Sequence, residues 1–162
     1  MKPDIYIENS IISYLASRPT KNLLAAARQE ITYEWWHSRR DKFTLYISEL
    51  VITEAGEGDP EAAQKRLKLL HGIAQVPLTQ EIRALARALI TEGALPEKSY
   101  ADAIHIAAAS VHGIKYLLTW NCTHLANAEI KPMVRSVCAI HGYTCPEICT
   151  PEELMGDEFN ER

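Results

Sequence analysis

Four oxygen-bearing side chains in this sequence stand beside apolar residues, at positions far apart in the chain. Three of them are carboxylates and the fourth is an amide. A carboxylate among apolar groups is costly unless something compensates its charge, so several in one small chain suggest that they surround a cation. Oxygen ligands of this kind suit Mg²⁺ or Mn²⁺. The candidate residues for such a site are Glu8, Glu54, Asp102 and Asn121.

The elements that must position these residues alternate between strands and helices. Apolar, β-rich runs predict strands at 5–7, 43–47, 73–78 and 115–119, with a short extended piece at 145–148. Helical patterns fill the intervals, at 11–16, 22–40, 49–55, 60–70, 80–92, from 96 or 99 to 112, and 130–141. Ser48 and Thr79 are suited to cap two of these helices, and Pro60 is suited to open another.

This alternation is typical of βαβ units, in which parallel strands are joined by helices. It predicts an α/β fold, a three-layer α/β/α sandwich with a central, mainly parallel sheet. The sequence contains no repeat and no linker, so a single domain is expected to span residues 1–162. A polar, acidic tail is expected from about residue 154.

The order of the strands decides whether the four candidates can meet. In open α/β sheets, ligands bind beyond the carboxyl ends of the strands, at the point where the strand order reverses. Glu8 directly follows the first predicted strand, and Asn121 lies two residues past the fourth. Both would share one edge of the sheet if these strands are neighbours. Glu54 and Asp102 would reach that edge from the core-facing surfaces of two helices.

Each candidate also has a simpler explanation. Glu8 would terminate a strand and face water, and Glu54 would pair with Arg66 of the next helix. Asp102 would assist in capping its helix, and Asn121 would stabilise a turn. The joint pattern, rather than any single residue, favours a shared site.

Composition and charge restrict the classes of protein that fit. The chain has 162 residues, of which 47% are hydrophobic, and a net charge of −4. These values suit one compact domain. The charge does not indicate a nucleic-acid binder, because affinity for phosphate chains usually comes from Lys and Arg, but a bound cation would add positive charge. No signal peptide or membrane-spanning run is visible, so a cytoplasmic location is expected.

The four cysteines are expected to be small, partly buried thiols. Disulfides are rare in the cytoplasm. Cys138, Cys145 and Cys149 could form a zinc cluster with His141. However, the chain has no C-x-x-C pair, and the spacings match no standard structural zinc site.

Taken together, the candidate motifs resemble the PIN domain family, and the resemblance spans roughly residues 4–150. That family places an acid after its first strand, an acid on the helix after the second, an Asp-Ala-x-His motif, and an Asp or Asn after the fourth strand. The matching stretches are Glu8-Asn9-Ser10, Glu54, Asp102-Ala103-Ile104-His105 and Thr119-Trp120-Asn121. The chain is most similar in character to small prokaryotic PIN toxins of VapBC-type toxin–antitoxin pairs.

The resemblance implies a metal-dependent ribonuclease that acts on RNA, is often a homodimer, and is held in check by a small antitoxin. Glu8 and Asp102 would be the principal ligands of Mg²⁺ or Mn²⁺. Glu54 would hold a second metal or orient the attacking water, and Asn121 would contact a water or a phosphate oxygen. Ser10 would orient one of the acids by a hydrogen bond.

The sequence departs from the family at two positions, which leaves a second function open. The family's first acid is usually Asp, and Glu8 is one methylene longer. Its last position is often Asp, whereas Asn121 carries no charge. The alternative is therefore a catalytically weakened PIN-like module that binds RNA or protein. A P-loop or a Rossmann oxidoreductase is excluded, because the required glycine motifs are missing.

Several other residues near the motifs are expected to be structural. His105 and His124 are interpreted as packed, hydrogen-bonded core histidines rather than ligands. Of the adjacent Trp35 and Trp36, one is expected in the core and the other at an interface, because neighbours in a helix cannot share a face. Three cations near the site have two interpretations: they would steer phosphates toward the site, or they are solvated surface charges, which is the favoured interpretation for each. They are Arg18, Lys21 and Lys98.

Overall fold

The sheet of this protein contains five strands that are all parallel. The computed structural model describes residues 1–156. Within that range the strands are β1 (Asp4–Ile7), β2 (Thr44–Ser48), β3 (Ala74–Val76), β4 (Tyr116–Leu118) and β5 (Glu147–Cys149). Their order is β3-β2-β1-β4-β5, and every neighbouring pair is parallel. The predicted parallel sheet is confirmed, and the extended piece near its end is an edge strand.

Seven α-helices in the described residues connect these strands. They are α1 (Asn9–Ala16), α2 (Leu23–Ser38), α3 (Glu49–Ala55), α4 (Pro60–Leu69), α5 (Gln80–Thr91), α6 (Tyr100–Val111) and α7 (Lys131–Ile140). Right-handed crossovers with this strand order place α1 to α4 on one face and α5 to α7 on the other. The packing agrees, because α1 contacts α2, α3 and α4, while α5 contacts α6 and α7. The three-layer α/β/α sandwich predicted from the sequence is confirmed.

The core lies on both faces of the two central strands. Ile5 and Ile7 of β1 and Leu117 and Leu118 of β4 are fully buried, as expected for parallel strands covered by helices. Helix α6 is buried along 103–110, which matches its nearly uniform apolar sequence. The central strands and α6 therefore form a rigid base for the residues that follow them.

Some local expectations are confirmed and others are wrong. The Thr79 hydroxyl caps α5 by accepting from the Ile82 backbone N–H at 3.4 Å, and Pro60 opens α4 as predicted. Ser48 precedes α3 but makes no side-chain capping bond. Its hydroxyl is buried beside Tyr6 and forms a 2.7 Å hydrogen bond to the Tyr6 hydroxyl instead.

Trp36 is not an interface residue. Both Trp35 and Trp36 belong to the buried core, so the expectation that one of them would anchor a partner is wrong. Trp36 is covered by the guanidinium of Arg40, which stands 4.5 Å from the ring centroid. The turn at Arg40–Lys42 places the Arg40 guanidinium over the Trp36 ring, which helix α2 alone would not cover.

The packed body extends further than the predicted start of the tail near residue 154. A short 3₁₀ turn covers Pro151–Leu154, and the Leu154 carbonyl accepts a hydrogen bond from Arg39 Nε at 3.1 Å. Met155 is buried in the core. Apolar side chains therefore hold this segment on the domain, and the rest of the predicted tail, 157–162, lies outside the described residues.

The four cysteines are free thiols. Cys138 and Cys149 are buried, Cys145 is partly buried and Cys122 is exposed. Burial raises the pKa of Cys149 to about 12, so that thiol stays protonated near neutral pH. Among residues 1–156, no helix has the length and apolarity that crossing a bilayer requires.

Candidate metal centre

The candidate site lies at the carboxyl edge of the sheet, where the strand order reverses. β1 and β4 pair there with Ile7 opposite Leu118. The Glu8 backbone N–H donates to the Leu118 carbonyl at 3.1 Å, which continues the ladder by one residue. Glu8 and the residues after β4 therefore share one edge, as the sequence predicted.

Glu8 is held by hydroxyl groups from both sides of this junction. Its Oε1 accepts from Ser10 Oγ at 2.5 Å and from Thr119 Oγ1 at 2.6 Å. Its Oε2 accepts from the Ser10 backbone N–H at 3.1 Å, so Glu8 also caps α1. Three donors fix the carboxylate in one orientation, and the carboxylate is almost fully buried.

The same two hydroxyls tie the loop after β4 to the site. Ser10 Oγ accepts from the Trp120 backbone N–H at 2.8 Å, and Thr119 Oγ1 accepts from the Asn121 N–H at 3.0 Å. Ser10 was expected to orient an acid, and its hydroxyl contacts Glu8. The contribution of Thr119 was not predicted, although its place at the end of β4, level with Glu8, was a usable signal.

Glu54 is held by a histidine and not by Arg66, the partner that its simpler explanation required. His105 Nε2 lies 2.6 Å from Glu54 Oε1. An ionised carboxylate only accepts hydrogen bonds, so Nε2 carries the proton. Arg66 instead donates to two backbone carbonyls after Glu54, those of Ala55 and Glu57. The alternative explanation of Glu54, an ion pair with Arg66, is therefore not seen.

A buried relay supports the other side of the His105 ring. His105 Nδ1 is 2.7 Å from the Tyr6 hydroxyl, which is 2.7 Å from Ser48 Oγ. Burial raises the pKa of Tyr6, so its hydroxyl stays protonated. His105 is fully packed and bonded through both nitrogens, which confirms the interpretation of a core histidine. The relay fixes the ring that in turn positions Glu54.

Asp102 and Asn121 contact each other. Asn121 Nδ2 donates to Asp102 Oδ1 at 3.2 Å. Asn121 Oδ1 accepts from the backbone N–H groups of Thr123 and His124, at 3.2 and 3.1 Å. The amide therefore stabilises a turn and also orients a carboxylate. The neighbouring His124 is only half-buried in this loop and its Nδ1 has no partner in the described structure, so its expected core role is wrong.

The site concentrates negative charge. One ligand atom from each of Glu8, Glu54 and His105 lies within 4.8 Å of the others. Burial raises the pKa of Asp102, and the charges of Glu8 and Glu54 raise it further against the opposing effect of His105. For His105, burial alone would lower the pKa, but the Glu54 hydrogen bond and the neighbouring carboxylates outweigh it and raise the pKa.

No lysine or arginine in the described residues compensates the charge of these acids, and the basic side chain that contacts Glu54 is His105. Within residues 1–156, no Lys or Arg side chain pairs with Glu8, Glu54 or Asp102. Buried carboxylates that crowd together without such partners are unfavourable as bare charges. A divalent cation would remove this penalty, so the donor set fits Mg²⁺ or Mn²⁺.

Comparison with models of known protein families gives a match to this chain. A family model described as the PIN domain matches residues 5–121, a span that includes all four candidate positions. The chain belongs to the PIN domain family. This membership agrees with the resemblance seen in the sequence motifs.

Two solved structures share this fold. Mycobacterium tuberculosis VapC20, described as a Sarcin-Ricin loop cleaving toxin, aligns with a TM-score of 0.59 and 16% identity over 88% of this chain and 100% of its own. VapBC2 from Rickettsia felis, bound to a DNA fragment from its promoter, aligns with a TM-score of 0.56 and 13% identity over 90% and 97%. A search of curated protein sequences gave no significant match.

The Tyr6 relay gives a stability prediction for this PIN domain. Tyr6→Phe should lower the free energy of unfolding by about 1–3 kcal/mol, because it leaves buried Ser48 Oγ and His105 Nδ1 without their shared partner. Urea unfolding measures the loss. Tyr46→Phe on the adjacent strand is the matched control, since its hydroxyl has no hydrogen-bond partner in the described structure. Equal stability of the two variants would contradict the role of the relay.

Proposed function

We propose that this PIN domain is a metal-dependent ribonuclease that hydrolyses RNA phosphodiester bonds, and that it is the toxin of a toxin–antitoxin pair. The observation that carries the proposal is the cluster of Glu8, Glu54 and His105, whose ligand atoms lie within 4.8 Å of one another. Asp102 is near enough for the charges of Glu8 and Glu54 to raise its pKa, and no lysine or arginine in the described residues pairs with the three acids. Membership of the PIN family supports it. So does the fold shared with a toxin described as cleaving the Sarcin-Ricin loop.

Each residue of the site would have a separate role. Glu8 and Asp102 would be the principal ligands of Mg²⁺ or Mn²⁺, with Glu54 completing the set. When bound, such a cation lowers the pKa of a water and stabilises the negative charge that develops on the phosphate. Asn121 would orient Asp102 and approach a phosphate oxygen through its amide.

The supporting hydrogen bonds keep the acids in place before a cation arrives. Ser10 and Thr119 hold Glu8 from two sides. His105 holds Oε1 of Glu54, and the other oxygen, Oε2, would accept a hydrogen bond from the attacking water. Without these contacts, mutual repulsion would turn the carboxylates away from each other.

The partners are part of the same proposal. A small antitoxin would hold the enzyme in check, and the VapBC2 complex supports a partner of this kind. A homodimer is proposed as well, since α2 exposes the apolar side chains of Leu23 and Leu24, which a partner would cover. RNA as the substrate implies that the protein acts in the cytoplasm.

Metal removal tests the proposal. The purified protein should cut single-stranded or structured RNA in Mg²⁺ or Mn²⁺, lose this activity in a chelator, and regain it when the metal is restored. Glu54→Gln should reduce cleavage strongly. Glu57→Gln should not, because Glu57 is an exposed acid one turn further along the chain.

The uncharged Asn121 makes a binding module the competing outcome. Such a module would bind RNA or protein without cutting RNA under any metal condition, and calorimetry would detect no metal binding. That result would overturn the proposed activity.

A further inference from the structure

A groove of about 290 Å³ runs between α1 and α4. The α1 side contributes Ser13 and the following residues up to Arg18. The α4 side contributes Lys65 and Arg66, together with acids near the start of that helix. The groove therefore contains cations and hydroxyls, the groups that bind phosphate oxygens.

Both walls of the groove continue into residues of the metal centre. Helix α1 begins at Asn9, directly after Glu8, and its helical spacing places Asn9 and Ser13 on the same face. On the other wall, Arg66 Nε donates to the Ala55 carbonyl at 2.9 Å, one residue after Glu54. One wall of the groove is therefore continuous in the chain with Glu8, and the other is hydrogen-bonded beside Glu54.

The cations of the groove are available to a ligand. Arg18 and Lys65 are exposed, and among residues 1–156 their side chains have no hydrogen-bond or ion-pair partner. Arg66 donates to neutral carbonyls, so its charge is not cancelled. Of the two acids, Asp59 already caps α4 by accepting from the Ala62 N–H at 3.0 Å, and Glu61 is exposed.

We propose that Arg18 and Lys65 bind backbone phosphates of the RNA strand beside the bond that is cut. This inference rests on the proposed ribonuclease function. A phosphodiester chain approaching three carboxylates is repelled by them, and cations along its path offset that repulsion. Arg18 would contact phosphate through two parallel N–H groups, and Lys65 would act as a point charge. Both are positioning residues.

Salt dependence of binding tests the groove. The probe is a fluorescein-labelled single-stranded oligoribonucleotide, bound in Mg²⁺ buffer by protein that carries Asp102→Asn to prevent cleavage. The slope of log affinity against log salt concentration should become shallower by about 0.7 for each phosphate contact removed from a single strand. We expect this change for Lys65→Ala and for Arg18→Ala, and about twice the change for the double variant.

Matched variants separate this effect from general loss of charge. Lys68→Ala removes the same charge from the same helix at an exposed position outside the groove, and it should leave the slope unchanged. Lys65→Arg should restore the slope that Lys65→Ala loses. With Asp102 intact, Lys65→Ala should raise KM for RNA cleavage and leave kcat unchanged.

The outcomes distinguish this proposal from the proposed function. If Lys65→Ala and Lys68→Ala give the same slope and the same KM, the groove proposal is overturned even when the protein cuts RNA. If RNA binds with the expected slopes but is never cut in any metal, the groove is supported and the ribonuclease activity is not.

Discussion

Replacing Asp102 by Asn is expected to reduce RNA cleavage by about 100-fold or more while making the metal-free protein more stable. Loss of groups that only orient a ligand typically costs 10–100-fold, so loss of a proposed direct ligand should reach at least the upper end. The amide keeps the shape of the side chain, and its oxygen can still accept from Asn121 Nδ2. The variant should therefore fold normally.

The gain in stability follows from the direction of the Asp102 pKa shift. Burial and the nearby Glu8 and Glu54 raise the pKa of Asp102 in the folded protein. The folded state then binds the Asp102 proton more tightly than the unfolded state, so stability falls as the pH rises through this pKa. At neutral pH the ionised carboxylate opposes folding, and a neutral amide removes that effect.

Thermal unfolding in chelator and RNA cleavage in Mn²⁺ measure the two effects. Asp102→Asn should melt at a higher temperature than the parent protein at neutral pH, and the difference should shrink as the pH falls through the pKa of Asp102. Asp41→Asn, at an exposed position away from the site, is the control and should change neither property. Cleavage at the parental rate by Asp102→Asn would exclude Asp102 as a ligand.

Trp35→Ala is expected to cause the largest loss of stability, about 3–5 kcal/mol in the free energy of unfolding. Trp35 is fully buried, and its ring centroid lies 5.6 Å from that of Phe43. Its removal would leave a cavity where α2 packs on the sheet. Urea unfolding measures the loss, and Leu24→Ala on the exposed side of the same helix should change stability little.

A second substitution at the same position separates packing from hydrogen bonding. Trp35 Nε1 is buried and has no hydrogen-bond partner in the part of the chain that the structure describes. Trp35→Phe removes this unsatisfied N–H and keeps an aromatic ring, so it should cost clearly less than Trp35→Ala. Equal losses would show that the indole N–H is satisfied by a group such as a buried water.

Local sequence patterns were sufficient to predict the alternating elements and the edge where the site forms. Strand and helix periods are local properties, and residues after parallel strands meet at one edge by geometry. The strand predicted at 73–78 was too long, because only Ala74–Val76 pairs with β2. Pro77 has no N–H with which to continue the ladder.

The supporting hydrogen bonds could not be predicted in the same way. The Tyr6 hydroxyl bonds to side chains 42 and 99 residues away along the chain. Such a pairing depends on strand order and on which face each helix packs against. Glu54 shows the same limit, because an arginine on the next helix was a plausible partner, whereas the actual partner is on a helix from the opposite layer.

The start of the tail was placed before the buried Met155 for a related reason. The segment from residue 154 is polar and acidic in composition, but the packing of Met155 depends on a space left by elements distant in sequence. The composition of a segment is an average over its residues. It therefore does not reveal that a single apolar residue, here Met155, is buried in the core.

The parallel arrangement of the strands keeps the two ends of the sheet chemically separate. All proposed ligands follow strand ends or approach them, whereas the exposed turn at His71 and Gly72 leads into the start of β3. A dye or an affinity handle attached at that turn would stay remote from the candidate metal centre. Engineering of this protein for immobilisation or single-molecule observation can therefore begin at the end of the sheet opposite that centre.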